Sequence, residues 1–412
     1  MNIKETTDIG ARESVLLEND SFRVLVNNDK GMVPELSSRK DKAWINAHWQ
    51  PWFRNTSSSK WSAHEHEAFW KVPLLYDIAG NFPCCPNFGP GHTWKGSEMP
   101  PHGFTSFMNW ECLDMMKKEN SVSVHWELTP PDQPLRYQKI DMIRKDENVH
   151  YASLTVTNRS DGKEEMNIGW HNTVGAPFLE SGCLICNNSE EFAVPPLGTE
   201  FDTTGQLEPG SRSRSLSEMP LRTGGTADFS RVPGVTGFTD FVAAKVPDDC
   251  RIGWTAIINP RQKLVYLSWF TGPGSVTKAE IPLYFYNYWM NYGGRPFQPW
   301  AAQDGGSDRS FCLGSENSVS FYANGLEESV DHPSLMGHPT HLVLNPGESR
   351  VLNYGTAFFS YEEDILDEGI YDLELSDNSL ILHGSQEGSI VKVKAQGTFD
   401  ELKKLNATSL QH

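Results

Sequence analysis

The chain has 412 residues, enough for one large domain or two ordinary ones. It carries 35 Lys+Arg against 53 Asp+Glu, a formal charge of −18. That acidic balance argues against nucleic acid or an anionic membrane as partner and fits a neutral or modestly charged small molecule.

The opening MNIKETTDIGARESV has no apolar core of a secretory signal, and no 18-residue apolar stretch follows anywhere. With seven Cys, an odd number, the expectation is a cytoplasmic protein with reduced thiols. SFRVLVNNDKGMVPEL alternates apolar and polar residues and then turns at Asn28–Gly31. Residues 50–101 are irregular and aromatic-rich, and long ordered loops of this kind often carry function; they are expected to form one wall of a binding cleft. Within them His64 and His66 have the spacing of a metal pair on one face of a strand, or of a solvated loop. His102 follows in PPHGF, where two prolines and a glycine fix an irregular turn.

SVSVHWEL and VHYASLTVTNRS read as strands and lead to NIGWHNTVGAPFL, with His171 flanked by Trp170, Asn172 and Thr173. Cys183 and Cys186 form a C-x-x-C without the second pair of a zinc ribbon. Residues 195–234, rich in Gly, Pro, Ser and Thr, read as a long irregular excursion. Strands resume with FTDFVAAKV, RIGWTAII and KLVYLSWF, and NYGGRPFQPWAAQDGG brings Arg295, Trp300 and Asp304. Glu316 lies in RSFCLGSENSVSFY, before an alternating strand. SRVLNYGTAFFSY, SLILHGS and SIVKVKA are further strands; EEDILDEGIYDLE and FDELKKLNATSL have helical patterns. Many evenly spaced strands with few helices predict an all-β, large antiparallel sandwich over residues 1–364, with a C-terminal extension of strands and a short helix over 365–412 packed on it.

His102, His171 and Glu316 are lone acid–base residues in strand-like settings, the ingredients of proton transfer if they converge. Alone, each is more often a structural residue. Thirteen Trp, among them Trp49, Trp52, Trp110, Trp170, Trp289 and Trp300, suit either a β-rich core or a wall on which sugar C–H faces stack. No phosphate loop, dinucleotide fingerprint or nucleophile elbow is present, so no cofactor and no metal are expected.

The segments ENDSFRVLVNNDKGMVPEL, PPHGF, GWHN, CLGSEN and LVLNPGESRVLNYGTAFFSY together resemble the aldose 1-epimerases of the galactose mutarotase-like superfamily. The resemblance spans most of residues 14–361. It implies a β-supersandwich and cofactor-free interconversion of monosaccharide anomers. It assigns Glu316 as base, His171 as acid and His102 as the group that stabilises charge at the ring or anomeric oxygen. Trp170, Asn172, Trp110, Trp289 and Trp300 are the expected sugar contacts, with Arg54, Arg295 and Asp304 added by neighbourhood. Where that family carries an Asn-His-x-x-Phe-Asn type segment, this chain has GWHNTVGAPF. Two other readings stand beside it: a carbohydrate-binding protein on the same fold, and a polysaccharide lyase or hydrolase.

Overall fold

The computed structural model describes residues 1–51, 61–300, 311–376, 378–396 and 398–409, so Trp52, Arg54 and Asp304 lie outside the described residues. Its centre is a pair of antiparallel sheets. The eight-stranded sheet runs, in spatial order, Leu184–Asn187, Ile252–Asn259, Leu264–Thr271, Ser349–Ser360, Val149–Asn158, Leu135–Arg144, Ser121–Leu128 and Glu111–Lys117. The seven-stranded sheet runs Arg212–Ser213, Phe192–Ala193, Phe238–Lys245, Phe285–Tyr292, Phe311–Val319, Ile168–Gly175 and Asn81–Cys84. A five-stranded N-terminal meander, Asn2–Asp8 through Ala43–Asn46, shares the main apolar core with both. The chain is an all-β supersandwich with few helices, as the strand spacing predicts.

The two faces of the seven-stranded sheet have different fates, and period-two alternation sorts the residues between them. Trp170, Asn172, Tyr286, Tyr288, Ser315 and Asn317 point into the sandwich. There Trp170 stacks on Tyr354 at 4.8 Å, Asn172 Nδ2 donates to Tyr354 Oη at 2.5 Å, and Tyr288 Oη pairs with Thr255 Oγ1 at 3.0 Å. Buried hydroxyls and amides that satisfy each other in this way fix the register of the two sheets, since an unpaired one would lose about 1–3 kcal/mol. The intervening residues, His171, Thr173, Trp289 and Glu316, point out of the sandwich.

The eight-stranded sheet departs from the simple alternation expected of RIGWTAII and KLVYLSWF. Both of its faces are apolar, because the C-terminal segment covers the outer one. Trp254, Leu267, Trp269 and Phe359 lie beneath Leu373, Leu382, Phe399 and Leu402 in a second buried cluster. Arg144 anchors this cover to Glu401 at 2.6 Å, and Trp269 stacks on Phe399 at 6.0 Å. The helix expected in FDELKKLNATSL is Asp400–Ser409. The one expected in EEDILDEGIYDLE does not form: the chain turns there, Gly369 has φ of +104°, and Ile370–Ser376 enters a three-stranded sheet. His64 and His66 lie on a helix, Ala63–Trp70, rather than a strand or loop, so residues two apart diverge around its axis. Among the described residues neither belongs to a metal-type cluster. Cys183 and Cys186 are free thiols, and burial pushes them up to about 12 and about 11.

Candidate active site

The strands Ile168–Gly175 and Phe311–Val319 are antiparallel neighbours. Their register pairs Trp170 with Asn317 and Thr173 with Gly314, which sets His171 directly opposite Glu316. Directly opposed side chains on one face have Cβ atoms about 5 Å apart, so an imidazole and a carboxyl reach each other without strain. His171 Nε2 lies 3.0 Å from Glu316 Oε1. The other ring nitrogen, Nδ1, lies 3.1 Å from Thr173 Oγ1, the next residue on the same face. On the far side Phe82 stacks flat on His171, centroids 4.5 Å apart and planes within 12°. Gly314 leaves the room that Glu316 occupies: a Cβ there would sit 3.0 Å from Oε1.

His102 joins the pair from a turn. Its backbone N–H donates to Gly89 O at 2.9 Å, and it takes a left-handed φ of +57°. Gly103 follows at φ of +77°, where a Cβ would strike Cys85 O at 2.3 Å; only glycine fits that approach. The His102 ring meets His171 edge-on at 5.3 Å, and its Nδ1 is buried with no hydrogen-bond partner among the described residues.

These groups form the floor of a cavity of about 820 Å³. One wall holds Trp49, Trp289 and Trp300; Trp49 and Trp300 are parallel at 5.8 Å, and Trp289 meets Trp300 edge-on at 5.2 Å. Arg295 sits among them, its guanidinium 4.7 Å from the Trp289 ring centre and 4.8 Å from that of Trp300. Its charge is paired with Glu200, from the loop that opens the irregular excursion.

Burial in this setting pushes each acid–base group towards its neutral form. The Glu316 carboxyl is held well above the ordinary carboxylate range by desolvation and the Glu200 charge, against the pull of Arg295. His171 is pushed well below 6.5 by desolvation and by His102. His102 is pushed down to about 4 by desolvation and Arg295. Both shifts favour a protonated carboxyl facing an unprotonated nitrogen 3.0 Å away. The pair acts as a unit rather than as two independent sites.

His102, His171, Glu316, Trp289, Arg295 and Trp300 all line this one cavity. Three other expected sugar contacts do not. Trp170 and Asn172 flank His171 in sequence and therefore face the opposite way, into the sandwich, where Tyr354 takes both. Trp110 is buried in the main core, its Nε1 donating to Thr105 O at 2.9 Å. Residues 50–101 contribute Val72, Leu75, Gly89 and Gly91, among others, to the lining. Phe82, Glu200 and Phe321 went unforeseen. A two-residue step from His171 would have found Thr173; the rest come from separate strands and loops, with no local signal.

No protein-family model and no curated protein sequence matches the chain. Solved structures match it in fold. A candidate aldose 1-epimerase from Klebsiella pneumoniae subsp. pneumoniae MGH 78578 superposes with a TM-score of 0.63 at 12% identity, covering 87% of this chain and 83% of that one. One from Escherichia coli K12 gives 0.52 at 14% identity, covering 87% and 100%. A candidate mutarotase from Salmonella typhimurium gives 0.52 at 10% identity, covering 87% and 94%. The chain thus has the galactose mutarotase-like supersandwich fold, shared with structures described as aldose 1-epimerases.

Proposed function

We propose that the protein interconverts the anomers of a reducing sugar by acid–base ring opening at His171 and Glu316. The observation that carries this reading is the 3.0 Å contact between the two groups on the floor of an aromatic-walled cavity. Opposite sides of the sugar ring are one arrangement that such an acid and base can take. Contact serves the reaction as well, because the two oxygens that exchange protons, the anomeric hydroxyl and the ring oxygen, are bonded to one carbon.

One member of the pair takes the proton of the anomeric hydroxyl while the other donates to the ring oxygen. The bond from the anomeric carbon to the ring oxygen breaks, and a carbonyl forms at that carbon. Rotation about the next carbon–carbon bond and closure from the other face, with the protons returned, give the second anomer. Proton count is conserved, so a pair with a single shared proton suffices. Glu316 as base with His171 as acid, and the reverse, differ only by moving that proton across the hydrogen bond. His102 Nε2 or Nδ1 would hydrogen-bond an oxygen where charge develops. A protein that only binds sugars has no need of a buried acid–base pair beneath its aromatic wall.

The test is exchange NMR on reducing sugars with wild-type protein and with Glu316→Gln. Wild type should raise the anomer exchange rate above buffer. The variant should lose about 10²–10⁴-fold while keeping its fold by circular dichroism. Wild-type exchange equal to buffer for every reducing sugar tried would overturn the reading.

A further inference from the structure

The cavity extends beyond what a single sugar ring over His171 and Glu316 would fill. Its volume of about 820 Å³ lies near the top of the roughly 300–1,000 Å³ range of small-molecule sites. Trp289 lies opposite Gly314, two positions before Glu316 on its strand, while Phe321 lies in the turn beyond the strand's end at Val319. The cavity lining therefore continues past the pair to a second aromatic surface. Phe321 and His332 stack there, centroids 4.3 Å apart and planes within 11°. Around them stand Asn324 and Glu328, the latter's Oε2 3.5 Å from His332 Nδ1. A flat apolar face with carboxylate and amide groups at its edge is the chemistry that holds a pyranose: C–H bonds on the ring, hydroxyls at the rim.

This platform is tied to the catalytic floor. Asn87 Nδ2 donates to Pro90 O at 2.9 Å and to Pro100 O at 3.1 Å, while its Oδ1 accepts from Leu326 N at 2.9 Å. Leu326 begins the helix Leu326–Asp331, which His332 caps, and just before it Gly325 N donates to Phe88 O at 3.0 Å. Phe321 N donates to Ser329 Oγ at 3.0 Å, fixing the platform on the same helix. His102 N bonds to Gly89 O in that turn. The distance from His102 to the platform is therefore held by backbone and buried side-chain hydrogen bonds.

We propose that Phe321 and His332 form a subsite for a second sugar residue, so that the preferred substrate is a reducing disaccharide or longer oligosaccharide rather than a free monosaccharide. This rests on the acid–base reading above: the reducing-end ring takes the pair, and the residue linked to it takes the platform.

Exchange NMR on cellobiose, lactose and maltose against glucose and galactose tests it. At least one disaccharide should show a kcat/KM about tenfold or more above the monosaccharides. Phe321→Ala and the half-exposed His332→Ala should each lower the disaccharide-to-monosaccharide ratio about threefold to tenfold, the loss expected of one stacking contact. Equal kcat/KM for both sizes, or variants that leave the ratio unmoved, would overturn the subsite. If no reducing sugar of either size is exchanged, the acid–base reading fails and calorimetry decides the subsite. Disaccharide binding weakened in His332→Ala supports it, and absent or unchanged binding overturns it.

Discussion

The imidazole of His171 lies flat against the ring of Phe82, 4.5 Å away, so that its edge and both nitrogens stay in the plane that contains Glu316 and Thr173. An imidazole free to turn about its side-chain bonds would meet Glu316 only part of the time. In the proposed mechanism Phe82 is a positioning residue, since it stacks on His171 and does not line the cavity. Phe82→Ala is expected to lower kcat by about tenfold to a hundredfold, with KM less affected, since small misplacements of a reacting group are costly. Phe82 is also fully buried, so the same change should cost about 3–5 kcal/mol of stability. Phe82→Leu, which keeps most of the volume and loses the flat face, separates the two effects: stability largely recovers and kcat does not.

Gly314→Ala tests the space around Glu316 from the other side. The added methyl would lie 3.0 Å from Glu316 Oε1 and 3.1 Å from Trp289 Cβ, both tighter than ordinary contact. Trp289 is held by Arg295 and Trp300, so Glu316 is the group that gives. The expected result is about a tenfold loss in kcat/KM, with a thermal midpoint lowered by only a few degrees.

Arg295 bears on the pH dependence. Burial raises Glu316 above 4.5 and lowers His171 below 6.5, so both shifts favour a protonated carboxyl beside an unprotonated imidazole nitrogen. The profile of kcat/KM should be a broad plateau that falls on the alkaline side when Glu316's proton is lost, and on the acid side when His171 gains a second one. The Arg295 charge favours the Glu316 carboxylate and opposes protonation of His102. Arg295→Gln removes that pull, so the alkaline limb should move to higher pH. A limb that stays in place or moves down would contradict the electrostatic role given to Arg295.

Stability should fall in mild acid. His48 is buried, its Nδ1 2.7 Å from Val33 O, and burial pushes it down to about 3; His102 is pushed down to about 4 and His171 is also lowered. All three take up protons near 6.5 when the chain unfolds, but not while it is folded. Below pH 6.5 the unfolded state therefore binds more protons, and stability drops as pH falls towards 4. Glu316 acts in the opposite sense, since its raised folded value makes the native state the better proton binder above 4.5. Glu147 and Asp240 are raised likewise, but His125 and the lowered carboxyls of Asp141, Glu165, Asp248, Glu348 and Asp364 add to the loss, so the net direction is a fall in stability. Urea midpoints measured from pH 7 to pH 4.5 check this, and a flat series would refute it.

Much of this site was legible in the chain, for identifiable reasons. His171 is expected just after a strand and Glu316 just before one, and both lie inside strands, Ile168–Gly175 and Phe311–Val319, while His102 sits in a turn with Pro100, Pro101 and Gly103. The order of short motifs pointed to their grouping, and the three line one cavity. The errors at Trp170 and Asn172 follow from reading neighbours in sequence as neighbours in space, where a strand sends adjacent side chains to opposite faces. Glu200, Phe321 and His332 reach the cavity through loops and a short helix whose paths are set by tertiary contacts such as that of Asn87, and no local pattern announces them.

The C-terminal cover over Trp254, Leu267 and Trp269 makes the middle strands of the eight-stranded sheet interior on both sides. Such strands carry apolar side chains on both faces, so the alternation expected of RIGWTAII and KLVYLSWF does not separate a buried side from a wet one. A chain of this fold without such a cover would expose those positions and need polar residues there. The apolar character of three side chains far from the cavity is thus a signature, readable in sequence alone, of whether a relative carries the extra layer.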